Sequence, residues 1–265
     1  MPTVTVDDIQ IYYECTGVGP PVLLIHGLGS STRDWAAQVA ALAPTFQIIT
    51  ADLRGHGRSA KPRERYRMAR FAADMAGLLR ALDAAPAHVV GLSLGGMVAF
   101  ELALTVPTLV RSLVIINSGP EVPVPTRRER LRLIGVYLWR VAVVRLAGMR
   151  RMGATLARHL LPEPEQAALR QTFIDRWAEN DPRAYLAALR AIGGWNVTAR
   201  LPALHCPTLV VAAEEDYTSV IFKQDYTARI PQADLVVIPG SRHLTPLDRP
   251  NELNAALLSF LQKVG

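Results

Sequence analysis

The sequence predicts an α/β fold: a doubly wound, mostly parallel eight-stranded sheet carrying one helical insertion. Three observations lead there. Short, unbroken apolar runs recur along the 265 residues, and runs without polar alternation mark strands buried on both faces. Helical patterns separate those runs by short links, which is how a doubly wound sheet is threaded. The rhythm breaks once, between Asn117 and Thr208, where no strand signal occurs and several helical segments do.

In chain order, residues 3–6 and 9–14 alternate across Asp7-Asp8, a hairpin at an antiparallel edge. Pro20-Pro21 precedes the first buried run, 22–25; the others are 47–51, 87–90, 113–116, 208–212 and 234–238. Helices are expected over 34–42, 69–82, 94–105, 220–230 and 250–263. Pro120, Pro123 and Pro125 open the long gap, and Leu201-Pro202 and Cys206-Pro207 close it. Residues 120–200 are therefore expected to form a helical cap inserted after the sixth strand, with 1–119 and 201–265 as the core.

Half the residues are hydrophobic and a fifth charged, enough for a sizeable core and too apolar for disorder. The first eight residues lack a basic segment followed by an apolar one, so no signal peptide is expected. The longest lipid-like stretch, 133–149, carries Arg140 and Arg145 and is too short to span a membrane. Cys15 and Cys206 are far apart and read as reduced packing residues, which points to the cytoplasm.

Net charge is +6, but its distribution says more. Residues 127–158 hold nine arginines against one acid, Glu129. A basic strip confined to an insertion, with no reading motif, argues against nucleic acid. It fits an anionic substrate, an acidic partner protein, an anionic surface or a plain solvated helix face. The apolar stretch 133–144 within it is expected to cover a substrate chain while the cations face outward.

The chemistry concentrates on Gly91-Leu92-Ser93-Leu94-Gly95-Gly96. A serine between glycines at a strand-to-helix turn is forced into a tight backbone, with its hydroxyl clear of the sheet edge. The helix that follows aims its first N–H groups at whatever Ser93 attacks, which suits a developing oxyanion. A serine hydroxyl needs a base, and the base works best when a carboxylate holds its tautomer. His243 follows the last strand run, on the same carboxyl edge of the sheet as Ser93, and is the expected base. The acid is expected after 208–212, where Glu214-Glu215-Asp216 stands; Asp216 is preferred and Glu215 competes. Asn117, at the other place such an acid would occupy, cannot ionise. The N–H groups of Leu28 and Leu94 are expected to form an oxyanion hole, with His26 bracing the Leu28 loop through its ring N–H. No Cys/His cluster has ligand spacing, so neither metal nor organic cofactor is expected.

Together these motifs resemble the α/β-hydrolase superfamily. The likeness covers nearly the whole chain outside the insertion. It rests on His26-Gly27-Leu28-Gly29, Asp52-Leu53-Arg54-Gly55-His56-Gly57-Arg58-Ser59, the Ser93 turn, Glu215-Asp216-Tyr217-Thr218 and His243, in the order Ser…Asp…His. The chain departs from the superfamily at Ala213 and Arg242, where glycine is usual; Arg242 is expected to bring positive charge to the pocket mouth. The resemblance implies that the 52–59 loop is structural, leaving His56 outside the site. It also implies a serine hydrolase, because dehalogenases and epoxide hydrolases on this scaffold place aspartate where Ser93 stands. Carboxylesterases, lactonases, carbon–carbon bond hydrolases and cofactor-free perhydrolases remain. The pattern looks most like small bacterial esterases, including enol-lactonases and esterases that demethylate pimeloyl-acyl carrier protein. The reading is a carboxylesterase working through an acyl-enzyme on a small or carrier-bound ester. A receptor that keeps the triad to bind a small ligand is the reading from a different class. The basic strip makes an acidic acyl carrier protein a candidate partner.

Overall fold

The computed structural model describes residues 2–124 and 126–265. Met1 lies outside the described residues, and so does Pro125, one of the prolines read as opening the insertion. Strands β1 (Thr3–Val6) and β2 (Ile9–Thr16) pair antiparallel across Asp7-Asp8. Then come β3 (Pro21–Ile25), β4 (Gln47–Ala51), β5 (Ala87–Leu92), β6 (Val110–Ile116), β7 (Thr208–Ala213) and β8 (Ala233–Ile238). They form one eight-stranded sheet in the order β1-β2-β4-β3-β5-β6-β7-β8. β2 joins β4 antiparallel, and every pairing from β4 through β8 is parallel.

The helices are α1 (Ala36–Leu42), α2 (Met68–Ala81), α3 (Leu94–Thr105), α4 (Arg127–Leu160), α5 (Ala167–Ala178), α6 (Pro182–Ile192), α7 (Val220–Thr227), α8 (Thr245–Asp248) and α9 (Pro250–Val264). The pleat sorts each strand between two cores. Leu23, Ile25, Val89, Leu113 and Val210 pack with residues of α2 and α3. Val22, Leu24, Val90, Val114 and Leu209 pack with Leu42 of α1 and with Leu253 and Leu257 of α9 on the other face. Burial on both sides is why these runs show no alternation. β8 departs from that expectation: it is the last strand of the sheet, and its Val236 and Val237 are exposed. The cysteines also depart, since Cys15 is exposed and Cys206 only half-buried; both are free thiols.

Between β6 and β7 lie α4, α5 and α6, with no strand among the described residues. Thr126 caps α4 by accepting the Glu129 N–H at 3.2 Å. Gly148, at φ 76°, ψ 177°, breaks that helix into two parts. The second part packs Met152, Leu156 and Leu160 with Phe173 and Trp177 of α5 and Tyr185 of α6 in a core of its own. Trp177 stacks on Phe173 with ring centroids 5.3 Å apart. Its ring also fills the space beside Gly29, where a Cβ would come within 2.7 Å of it. Arg176–Asp34 at 2.8 Å and Asn180 donating to the Gly29 carbonyl at 2.9 Å tie α5 to the loop after β3.

The first part of α4 overturns an expectation. Residues 130–136 are exposed on every side, and Leu138, Trp139 and Leu146 are exposed beyond them. Residues 133–136 of the stretch 133–144 therefore do not fold inward over a chain; its later turns bring Tyr137, Arg140 and Val141 to half-buried positions, with Arg140 donating to Tyr185 Oη at 3.4 Å. Val144 is the first residue of α4 to be buried, so the turns before it overhang the core. No helix of the described residues is long and apolar enough to cross a membrane.

Candidate active site

Ser93 joins β5 directly to α3. Its backbone sits at φ 53°, ψ −115°, a positive-φ conformation that costs on the order of 1–3 kcal/mol in an L residue and persists only where surroundings enforce it. Two hydrogen bonds enforce it here: Ser93 N–H donates to the Ile116 carbonyl at 2.9 Å, and Ser118 Oγ donates to the Ser93 carbonyl at 2.6 Å. A side chain on Gly91 would run into the Gly95 carbonyl, and one on Gly95 into the Ile25 carbonyl. Both glycines are needed for this close crossing. Leu94 begins α3, so its N–H has no partner within the helix and is left facing the turn.

His243 and Asp216 meet in space from loops after β8 and β7. His243 Nδ1 and Asp216 Oδ1 are 2.5 Å apart. Burial pushes the Asp216 carboxyl up, but His243 and Lys223 outweigh it and hold the group well below the usual carboxylate range. An ionised carboxylate only accepts, so Nδ1 carries a proton, and in the neutral ring this leaves Nε2 as the nitrogen with the lone pair. The Tyr217 ring lies 4.5 Å from the imidazole, centroid to centroid. Glu215 pairs instead with Arg242 at 2.5 Å, both partly exposed. That pair also neutralises the positive charge expected of Arg242 at the pocket mouth.

The loop carrying Leu28 lies against Ser93, since a Cβ on Gly27 would come 3.4 Å from Ser93 Cβ. His26 braces this loop with both ring nitrogens. Its Nε2 accepts the Leu53 N–H at 3.0 Å, so Nδ1 carries the proton and donates to the Gly27 carbonyl at 2.8 Å. Full burial lowers the pKa of His26, which fits this neutral form. Asp52 closes its own loop by accepting the Thr32 and Arg58 N–H groups, each at 2.7 Å. His56 is buried, its pKa pushed down by burial to about 3, and packs edge-on against His26 at 5.1 Å. A cavity of about 300 Å³ between this loop and α5 is lined by Gly29, Asp34, Arg176 and Trp177. Ser93, Asp216 and His243 do not line it.

Two side chains that organise the site escape a reading of the sequence. Asn117 receives attention there only as a residue that cannot ionise, yet its amide ties three loops together. Its Oδ1 accepts the Ala213 N–H at 2.7 Å, and its Nδ2 donates to the His243 carbonyl at 3.0 Å and to Thr245 Oγ1 at 2.7 Å. Aspartate could not donate in this way. Lys223 is the second. Its Nζ donates to Asp216 Oδ2 at 2.6 Å and to the Thr218 carbonyl at 2.8 Å, and neither side chain of the pair is exposed. Asp216 thus lies between two cation-capable groups, one on each oxygen. The only hint was one of three lysines falling seven residues after the acid.

A model of the alpha/beta hydrolase fold family matches residues 20–250. The chain belongs to that family. Among curated relatives of this α/β-hydrolase, an Azorhizobium caulinodans protein carrying the name carbamate hydrolase RutD is 30% identical over 100% of this chain and 99% of its own length. Among solved structures, a thermophilic esterase from Thermogutta terrifontis superposes with a TM-score of 0.85 at 28% identity, covering 99% of this chain and 98% of that one. Est816, described as an N-acyl homoserine lactone degrading enzyme, gives 0.82 at 31% identity, covering 98% and 100%. The eight-stranded, mostly parallel sheet is that of the α/β-hydrolase fold.

Proposed function

We propose that this α/β-hydrolase is a serine hydrolase that cleaves a carboxylic ester through an acyl-enzyme. The observation that carries the reading is the Asp216–His243 pair, bonded at 2.5 Å. Asn117 holds the His243 loop against the strand end that also accepts from Ser93. Ser93 Oγ attacks the ester carbonyl carbon, and His243 Nε2 takes its proton. The N–H groups of Leu28 and Leu94 receive the oxyanion. As the tetrahedral adduct collapses, His243 returns the proton to the departing alkoxide. Water then attacks the acyl-enzyme, gives a proton to His243, and the acid leaves as Ser93 is reprotonated. Asp216 keeps the imidazole in the tautomer that each step needs.

Residues 120–200 are proposed to act as the cap. Trp177 and Tyr185 pack with Leu28 and Leu244 in one apolar cluster, which supports a cap whose inner side lies over the reacting atoms. The relatives support an acyl carbon as the target, since an ester, a lactone and a carbamate all present one. A lactone is the second reading, favoured by the 31% identity to Est816 over nearly all of both chains. Hydrolysis of short p-nitrophenyl esters, set beside opening of an N-acyl homoserine lactone, tests both. Turnover of neither would leave a ligand-binding protein that keeps the triad.

Lys223→Met is expected to harm stability more than chemistry. The substitution leaves a buried carboxylate with one partner, and breaking a buried pair typically costs about 3–5 kcal/mol. His243 still holds Oδ1, so kcat per folded molecule should stay within about tenfold of wild type. Denaturant unfolding and active-site titration of the same samples separate the two effects. A loss of several decades in kcat with unchanged stability would assign Lys223 a direct part in the reaction instead.

A further inference from the structure

The overhanging part of α4 carries a surface that the proposed chemistry leaves unused. At 3.6 residues per turn, Leu131, Ile134, Leu138, Ala142 and Leu146 fall on one line along the helix, about 22 Å long. All five are exposed, Leu146 at 88% and Leu131 at 69%. Val144, on the opposite side of this part of the helix, is buried. The usual amphipathic arrangement is therefore inverted, with an apolar stripe facing water. Trp139 widens the stripe at its middle. Exposed arginines surround it: Arg127, Arg128, Arg130 and Arg132 at the start and Arg145 beside its end.

The shape and charge of this ridge select its occupant. The segment 127–158 carries nine arginines and one glutamate, so a second copy seated on the same face would set one strongly cationic surface against another. An acidic protein would need a groove to receive a ridge that is bare on all sides over residues 130–136. A bilayer receives a convex apolar ridge in any register, and its phosphates meet the flanking guanidinium groups. We propose that residues 127–147 dock the protein on an anionic lipid surface. Leu131, Ile134, Leu138, Leu146 and Trp139 enter the boundary between headgroups and acyl chains, and the arginines engage the phosphates. This holds whatever ester the protein cleaves.

Co-sedimentation of the full chain with vesicles tests it. With phosphatidylcholine containing roughly one-third phosphatidylglycerol, wild type should pellet; with phosphatidylcholine alone it should stay largely in solution. Raising salt from about 0.05 to 0.5 M should weaken binding at least tenfold, because exposed charges are then screened. Leu138→Ser with Leu146→Ser, and separately Arg127→Gln, Arg128→Gln and Arg132→Gln together, should each reduce partitioning by about tenfold or more. Their melting temperatures and short-ester turnover should match wild type, which excludes misfolding as the cause. Failure of wild type to pellet with anionic vesicles overturns the proposal. So does equal binding to both vesicle types, or serine variants that pellet like wild type. A concentration-dependent dimer that the serine variants cannot form, or capture by an acyl carrier protein without vesicle binding, gives the face to a protein and overturns it as well.

Discussion

Ser93→Ala is expected to lose about five to six decades of kcat on an activated ester while the fold stays intact, because members of a triad act as a unit. Removing one hydroxyl takes away the nucleophile but none of the bonds that shape the turn. Those bonds are made by the backbone: Ser93 N–H to Ile116 and the Ser93 carbonyl to Ser118. Alanine must still adopt φ 53°, and its Cβ occupies the space that serine's already holds. Unfolding midpoints should therefore agree within the error of the measurement. A fluorophosphonate probe should label wild type at Ser93 alone and leave the variant unlabelled. Labelling at another residue, or full activity in the alanine protein, would remove Ser93 from the mechanism.

How much of this was legible in the sequence depends on whether a residue's role is local. The turn at Ser93 was legible because its glycines are adjacent in the chain, and α3 begins where the motif places it, at Leu94. β3 to β7 were legible because burial on two faces leaves only apolar residues to read. The choice of Asp216 over Glu215 rested on where the loop turns back into the helix beginning near Ser219, and in the structure Asp216 is the carboxylate bonded to His243. Asn117 was not legible. Its amide joins residues 96 and 126 positions away, and no pattern marks a side chain chosen for donating and accepting at once. Lys223 was hidden by helical register, since a lysine between Phe222 and Tyr226 reads as a solvated position, and lysines are rarely buried unless paired. α4 misled for the opposite reason. Apolar residues at helical spacing are taken to face a core, and nothing in the spacing says that full burial begins only at Val144.

Asp216→Asn should cost about four decades of kcat, because an amide at that position stabilises the wrong imidazole tautomer. The buried lysine adds a consequence that a simple triad lacks. With the carboxylate gone, Lys223 Nζ keeps neutral acceptors, the Thr218 carbonyl among them, but no counter-charge, and an uncompensated buried charge typically costs about 3–5 kcal/mol. The variant is therefore expected to be inactive and destabilised together. Lys223→Met added to it should restore much of the stability and none of the activity, since the charge is removed but the tautomer is still wrong. The pH dependence follows from the same pair. Asp216 is held below its ordinary range in the folded protein, so the stability it contributes is present above about pH 4, the usual carboxylate value, and is lost as pH falls toward its depressed one. Wild type should lose this increment on acidification, and the double variant, lacking the carboxylate, should not. Denaturant midpoints measured on wild type, both single variants and the double variant at neutral and acid pH give the coupling directly. Additive losses would show that Lys223 and Asp216 do not share a charge. Restored activity in the double variant would show that the lysine, rather than the tautomer, limits the amide enzyme.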